Sequence, residues 1–151
     1  MTRPEPAALP AQRRRQARQW EWDEQMDLAL RLAKLLDPSC VFWTAVDNQP
    51  WSKRAGIMRK RRGCRSGTPD VLVLFKGKLI GLELKSRIGR VSREQMEVRL
   101  EMLRAGGMWW LCRTARSALV ALYWAGSGSA GRGSSPCLSR GRSRWRTRHS
   151  R

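Results

Sequence analysis

Apolar residues recur at helical spacing between Trp20 and Leu36, a stretch that contains neither proline nor glycine. The positions that form this pattern are Met26, Ala29, Leu30, Ala33 and Leu36. Spacing of this kind predicts an amphipathic helix that turns these side chains toward a core. Asp37-Pro38 ends the pattern, since the residue before a proline disfavours helical backbone.

A second helical pattern begins at Ser92 and stops at Gly106-Gly107. Its apolar stripe consists of Met96, Leu100 and Leu103. Ser92 and Gln95 have the spacing of a capping box, in which the two side chains satisfy the first amides of a helix. A third, short apolar helix is predicted from about Ala115 to Ala125.

Short runs of β-branched, aromatic and other apolar residues, bounded by turn residues, predict four strands. These runs are Cys40–Val46, Val71–Phe75, Leu79–Lys85 and Met108–Arg113. The turn at residues 76–78 joins the middle two in a hairpin. The order helix, strand, strand, strand, helix, strand, helix predicts an α/β fold with a mixed sheet flanked by helices.

Tryptophans are frequent in the chain, and their positions predict different roles. Trp43 lies in a predicted strand and is expected in the core, and one of the adjacent pair Trp109 and Trp110 must face the core because strand side chains alternate. Trp51 follows Pro50 beside a basic stretch, so we expect it to be the better candidate for stacking on a base.

The two ends of the chain differ in composition from the middle. Residues 1–18 combine prolines with arginines and predict a disordered basic arm, and residues 126–151 are rich in glycine, serine and arginine and are also expected to be disordered. We hypothesise that the second stretch arose from out-of-frame reading of GC-rich sequence; an uninterrupted frame shared with intact relatives would rule this out. The folded domain is then residues 19–125.

The chain has 151 residues and 31 Lys and Arg against 12 Asp and Glu, a formal net charge of +19. Such a surface attracts polyanions, and nucleic acid is the leading partner class, although basic runs are also found on merely solvated faces. The four cysteines form no CxxC pair and the single histidine is His149, which argues against a zinc site. With no bilayer-spanning apolar run and no signal peptide, we expect no membrane partner and a cytoplasmic location.

Asp70 opens the first strand of the predicted hairpin, and Glu83 and Lys85 lie near the end of the second. Glu83 and Lys85 share one face of the strand, while Leu82 and Leu84 point the other way. Carboxylates brought together across a hairpin suit Mg²⁺ ions, which activate water and polarise phosphoryl oxygens. The alternative is an Asp in a turn beside a solvated Glu–Lys pair.

Just before Asp70 lies the densest positive stretch in the body of the protein, which we interpret as a loop that holds a nucleic-acid backbone. Its basic residues are Lys53, Arg54, Arg59, Lys60, Arg61, Arg62 and Arg65. The histidine and phosphate-loop motifs of other hydrolases are missing from the folded region. The possible chemistry therefore narrows to carboxylates and metal.

The ordered set of motifs from about residue 20 to 125 resembles the PD-(D/E)xK nucleases, and within them the VRR-NUC branch. That pattern runs from an acidic helix through Gly-x-Pro-Asp and Glu-x-Lys to Gly-x-x-Ser-x-x-Gln. Here the motifs read EWDEQ at 21–25, GTPD at 67–70, ELK at 83–85 and GRVSREQ at 89–95. The resemblance implies a restriction-endonuclease-like core.

The resemblance also implies a role for each matching residue. Asp70 and Glu83 would be metal ligands, the carbonyl of Leu84 a backbone ligand, and Lys85 the catalytic lysine. Gln95 would be the family's helix glutamine near the active site, a role compatible with the capping box. Glu21 fits the family's helix acid best, with Glu24, one turn away, as the alternative.

From these features we expect a Mg²⁺- or Mn²⁺-dependent endonuclease that hydrolyses DNA phosphodiester bonds. The resemblance implies branched, junction or flap substrates in replication, recombination or repair, a phage or prophage setting, and a homodimer. The alternative is a catalytically inactive, basic nucleic-acid-binding protein with the same fold.

Overall fold

The fold consists of four helices and four strands in the part of the chain that the computed structural model describes, residues 10–47 and 52–127. In chain order the elements are α1 (Ala11–Leu35), β1 (Val41–Ala45), α2 (Lys53–Arg61), β2 (Val71–Phe75), β3 (Lys78–Leu84), α3 (Arg93–Arg104), β4 (Met108–Cys112) and α4 (Ala115–Ser127).

The strands form one sheet in the order β1-β2-β3-β4. β2 pairs antiparallel with both β1 and β3, whereas β4 runs parallel to β3 after the crossover through α3. Lys76 and Gly77 connect β2 to β3 and have φ values of 49° and 75°. Positive φ at both central residues is the geometry of tight hairpin turns that match the strand twist. The predicted hairpin and the predicted α/β class with a mixed sheet are confirmed.

One face of the sheet carries the hydrophobic core. Alternate residues of β2 and β3 point to this face, and α1 and α4 cover it. The buried side chains are Val41, Val71, Val73, Phe75, Ile80, Leu82, Leu84 and Cys112 from the sheet, Leu28 and Leu32 from α1, and Ala115, Ala118, Ala121 and Ala125 from α4. The alanines, one turn apart, let α4 lie close to the strands.

α3 lies on the opposite face, beside β3 and β4. The Arg99 guanidinium is 5.3 Å from the centre of the Trp109 ring, and Met102 lies against Gly81 of β3. Trp109 is buried beside α3 whereas Trp110 is 40% exposed. One of the pair is therefore buried, as predicted, but on the face of the sheet opposite the main hydrophobic core. Trp43 is partly buried against the core, as expected.

The first helix differs from its prediction in start and in orientation. α1 begins at Ala11, so residues 11–18 are helical rather than disordered, in keeping with their Ala, Gln and Arg content. The core-facing residues are Leu28 and Leu32, whereas Met26 and Leu30 are 55% and 60% exposed. Apolar residues surround this part of the helix, so their period alone did not identify the buried side.

The predicted stripe of α3 is also wrong as a core face. Met96, Leu100 and Leu103 are all exposed, and Val98 is the buried residue of this helix. The residues that meet the sheet include Gln95, which contacts Glu83. Because this contact is polar, the true packing face carried a weaker apolar signal than the exposed stripe.

The basic stretch after β1 was predicted as a loop, and most of it is the helix α2. The Ser52 hydroxyl accepts a hydrogen bond from the Ala55 amide at 3.1 Å and caps the helix. None of its residues is buried, which is why no apolar stripe marked it. The element order therefore contains one more helix than predicted.

At the C-terminal side, α4 continues to Ser127, two residues past the predicted boundary. The rest of the predicted arm and tail, residues 1–9 and 128–151, lies outside the described residues, as does Trp51. Of the helices in the described ranges, none has the length and apolar character needed to cross a membrane.

Candidate active site

The strands β2 and β3 place Asp70 and Glu83 opposite each other. Val71 pairs with Leu82 in the antiparallel register, so the preceding Asp70 stands across from the following Glu83. Asp70 Oδ2 accepts a hydrogen bond from the Leu84 amide at 2.8 Å. The hairpin therefore brings the two acids of the GTPD and ELK motifs together on the face opposite the core.

Glu83 is completely buried, with an exposed fraction of 0%. Its Oε1 lies 2.8 Å from Lys85 Nζ and also accepts a hydrogen bond from Gln95 Nε2. Its Oε2 has no hydrogen-bond partner among the described residues. The contact between Lys85 Nζ and Glu83 Oε1 confirms that the two side chains share a face of β3, and the pair is enclosed rather than solvated.

Burial raises the pKa of Glu83 to about 7, and the nearby charge of Asp70 adds to the effect, while the hydrogen bond from Lys85 opposes it. Burial likewise raises the pKa of Asp70, although the Leu84 amide and Lys85 act in the other direction. For Lys85, burial disfavours the ammonium, yet the hydrogen bond and charge of Glu83 outweigh it and raise the pKa. The acids thus hold protons more tightly than usual and the lysine stays charged.

Gln95 both caps the start of α3 and contacts Glu83. Its side-chain Oε1 accepts a hydrogen bond from the Ser92 backbone amide at 2.8 Å, and its backbone amide donates to Ser92 Oγ at 3.2 Å. These two bonds complete the predicted capping box. Its Nε2 donates to Glu83. The helix cap therefore fixes the side chain that holds the buried acid.

The two candidate helix acids have different surroundings. Glu21 lines the same cleft as Asp70 and Lys85, and its Oε1 accepts the Ser86 amide at 2.8 Å. Glu24 Oε2 accepts the Ala115 amide at 2.6 Å, at the first turn of α4. A carboxylate there stabilises the helix start. The structure brings Glu21 to the site and gives Glu24 a capping contact.

Glu21, Asp70, Lys85 and Gln95 border a cleft of about 780 Å³, whereas Glu24 and the fully buried Glu83 do not line it. Asp70, Lys85 and Gln95 line one part of it, and the exposed side of α1 supplies a wall that includes Trp22 and Met26. The helical period of the sequence predicted Met26 in the core, and no pattern indicated a role for Trp22. The missing signal was the rotation of α1, which depends on tertiary packing.

Two glycines allow close approach around the cleft. Gly67 has φ +85°, and a Cβ there would come within 2.6 Å of the Gln95 backbone nitrogen. At Gly89 a Cβ would be 2.8 Å from Glu21 Oε1. The glycine of the GTPD motif thus seats its loop against α3, and Gly89 seats the loop after β3 against α1.

Arg113 holds the loop that follows Lys85, a function that nothing in its sequence context indicated. Its Nη1 donates to the carbonyl of Ser86 and, at 3.2 Å, to that of Gly89. Because Ser86 and Gly89 both contact Glu21, Arg113 stabilises the wall between Lys85 and α1.

The predicted nucleic-acid-binding residues do not form one uniform surface. Arg59 reaches back to Asp47 at the cleft rim, with an Nη1–Oδ2 distance of 3.4 Å. Arg65 forms a two-bond ion pair with Glu101 of α3, one bond being 2.9 Å. The remaining basic residues are exposed, and they are Lys53, Arg54, Lys60, Arg61 and Arg62.

In kind, the donors of the cleft fit a hard divalent cation. Glu21, Asp70 and Glu83 offer carboxylate oxygens, and the orphaned Glu83 Oε2 is an acceptor that a cation would satisfy. Within the described residues, however, no group of three Asp, Glu, His or Cys side chains is arranged to hold a metal ion. Asp70 Oδ2 and Glu21 Oε1 are engaged by backbone amides, which an ion would displace.

Comparison of the chain with protein-family models, with curated proteins and with solved structures found no match. The resemblance to the VRR-NUC nucleases, the restriction-endonuclease-like core and the roles of the residues therefore stay predictions.

Proposed function

We propose that the chain is a metal-dependent endonuclease that hydrolyses DNA phosphodiester bonds. One observation carries the proposal: the half-buried Asp70 and the fully buried Glu83 face each other across the β2–β3 hairpin. Asp70 also lines a cleft together with Lys85 and Glu21, and Lys85 forms an ion pair with Glu83. Burying Glu83 is unfavourable unless the charge is compensated. The presence of such a buried carboxylate pair in a small domain favours a chemical role over a structural one.

In this proposal Asp70 and Glu83, with the Leu84 carbonyl, would hold Mg²⁺ or Mn²⁺, and Glu21 would contribute from α1. The bound ion supplies polarisation of a phosphoryl oxygen and a lowered pKa of water. Hydrolysis adds the oxygen of a water molecule to phosphorus, breaks one bridging P–O bond, and leaves the departing oxygen with a proton.

In the proposed reaction Lys85 acts on the phosphoryl group, and Gln95 acts through Glu83. The largely buried Lys85 side chain lines the cleft, where its ammonium offsets negative charge that develops on the phosphoryl group. Gln95 holds Glu83 Oε1 and is itself fixed by the helix cap, so the acid is preorganised.

The basic surface supplies affinity for the DNA backbone. The exposed residues of α2 and the following turn carry positive charge, and Arg59 connects this helix to the cleft rim at Asp47. Such contacts position a strand without reading its sequence. The substrates that we propose are branched, junction or flap DNA, as the motif resemblance implies.

Cleavage of a panel of duplex, nicked, flap and four-way DNA, with Mg²⁺ and with EDTA, tests the proposal. We expect Mg²⁺-dependent products from the wild type and none from Asp70→Asn or Glu83→Gln. Asp27→Asn is the matched control, because Asp27 pairs with Arg31 on α1 and does not line the cleft. Unchanged cleavage by both cleft variants would refute the assignment.

A second candidate function is DNA binding without turnover. It is favoured by the absence of a metal-holding group among the described side chains and by the neutralisation of Glu83 by Lys85. Salt-sensitive DNA binding with no cleavage in Mg²⁺ or Mn²⁺ would select this function over hydrolysis.

A further inference from the structure

Trp22 is a large aromatic side chain that the fold leaves exposed inside the cleft. Its exposed fraction is 66%, and it lines the same cavity as Asp70 and Lys85. Of the tryptophans in residues 10–47 and 52–127, it is the one that borders this cleft. What distinguishes Trp22 from the other exposed apolar residues is its position in the cleft beside Asp70 and Lys85, where an aromatic ring can contact a ligand.

Neighbouring residues of α1 fix the location of the indole. Trp22 Nε1 donates to Met26 Sδ at 2.9 Å, one turn further along the helix. Gln25, also one turn from Trp22, donates from its Nε2 to the Asp70 carbonyl at 3.4 Å. Residues three and four apart are neighbours on a helix surface. The indole is therefore held beside the loop that carries Asp70.

A cation lies on the other side of the indole. Arg18 precedes Trp22 by one helical turn, is exposed, and lines the cleft too. A flat aromatic ring flanked by an arginine and by a phosphate-hydrolysing centre matches the needs of a nucleotide strand: the ring stacks on a base and the cation pairs with the backbone.

We propose that Trp22 stacks on an unpaired base of the substrate, next to the phosphodiester that the cleft hydrolyses, with Arg18 on an adjoining phosphate. The proposal rests on the nuclease function proposed above. In continuous duplex both faces of each base are already covered by neighbouring bases, so stacking on Trp22 requires a base that is already free or is pulled out. The substrate class is therefore DNA with a single-stranded segment at the cleaved bond.

Binding measured in EDTA separates this proposal from hydrolysis. Fluorescence anisotropy of a labelled single strand and of the matching duplex is compared for wild type, Trp22→Ala, Trp22→Phe and Trp124→Ala. Trp124 is the matched control, since it is 64% exposed on α4 and does not line the cleft. Circular dichroism confirms that each variant is folded, as expected for exposed positions.

We expect Trp22→Ala to raise the Kd for the single strand roughly 5- to 150-fold, the range typical of one base–aromatic stack. Trp22→Phe loses much less, because it keeps a ring. Trp124→Ala binds like wild type, and the duplex Kd changes little in any variant. Equal loss for single strand and duplex, or no loss, would overturn the proposal.

Abasic scanning of the single strand gives a second readout. For wild type, removal of one particular base weakens binding as much as Trp22→Ala does, and the same removal has no further effect on that variant. Additive losses at every position would overturn the stacking contact. If wild type and Trp22→Ala both cleave in Mg²⁺ at equal rates, the stacking contact is refuted and the proposed hydrolysis stands. If Trp22 stacks on a base but no cleavage is seen, only the proposed hydrolysis is refuted.

Discussion

Replacing Glu83 with glutamine removes the fully buried carboxylate that pairs with Lys85 of the cleft, while preserving the shape of the side chain. The pKa of Glu83 rises from its ordinary value of 4.5 to about 7, first because of burial and second because of the charge of Asp70. A difference of that size between the folded and unfolded chain corresponds to about 3 kcal/mol. The effect of Glu83→Gln on stability must therefore depend on pH.

The sign follows from proton linkage. Because the folded protein binds this proton more tightly than the unfolded chain, Glu83 contributes its full stability below pH 4.5 and loses it as pH rises through about 7. Relative to Glu83→Gln, the wild type should therefore lose up to about 3 kcal/mol in free energy of unfolding between about pH 5 and about pH 8.5.

Urea denaturation of both proteins across this pH range, in EDTA, measures the difference. Glu94→Gln is the control, because the pKa of Glu94 is lowered from 4.5 by hydrogen bonds at the start of α3. Its contribution is lost only as pH falls below that value, so its difference from wild type stays flat over the range. If the difference in free energy of unfolding between wild type and Glu83→Gln were also independent of pH, the raised pKa of the buried Glu83 carboxylate would be refuted.

Other predictions follow from the same contacts. Mn²⁺ should raise the Tm of wild type at about pH 8.5 and leave that of Glu83→Gln unchanged in calorimetry. Gly67→Ala, which meets backbone, should lower stability by at least about 2 kcal/mol, and Gly77→Ala, in open space at φ +75°, by about 1 kcal/mol in urea melts. Glu24→Gln should cost about 1 kcal/mol of stability and keep cleavage, whereas Glu21→Gln should lose cleavage and remain folded. Equal stability of Gly67→Ala and Gly77→Ala, or equal cleavage by Glu24→Gln and Glu21→Gln, would contradict the positions assigned to these residues.

The centre of the site was predictable because its signals are local. The turn at Lys76 and Gly77 and the alternation of β3 place Asp70 and Glu83 together without knowledge of the rest of the fold. Gln95 was predictable for a similar reason, since a capping box involves residues only three apart. Local hydrogen bonds and a strand period of two leave little freedom.

The wall of the cleft was not predictable, because it depends on how helices rotate against the sheet. Apolar residues on several sides of α1 made its buried side ambiguous, so Trp22 received no role and Met26 the wrong one. Glu21 and Glu24 are one turn apart, and only the contacts of α4 distinguish them. Arg113 acts through backbone carbonyls, which carry no sequence signal.

The proposed hydrolysis in the cleft is tested most directly by the cleavage rate of Lys85→Met in saturating Mg²⁺. The substrate is the one that the panel of duplex, nicked, flap and four-way DNA identifies. Removing a charge that stabilises the transition state should lower the rate roughly 100- to 1,000-fold. Lys34→Met, on the last turn of α1, should cleave like wild type. Equal rates for wild type and a folded Lys85→Met would contradict the assignment of this cleft as a nuclease active site.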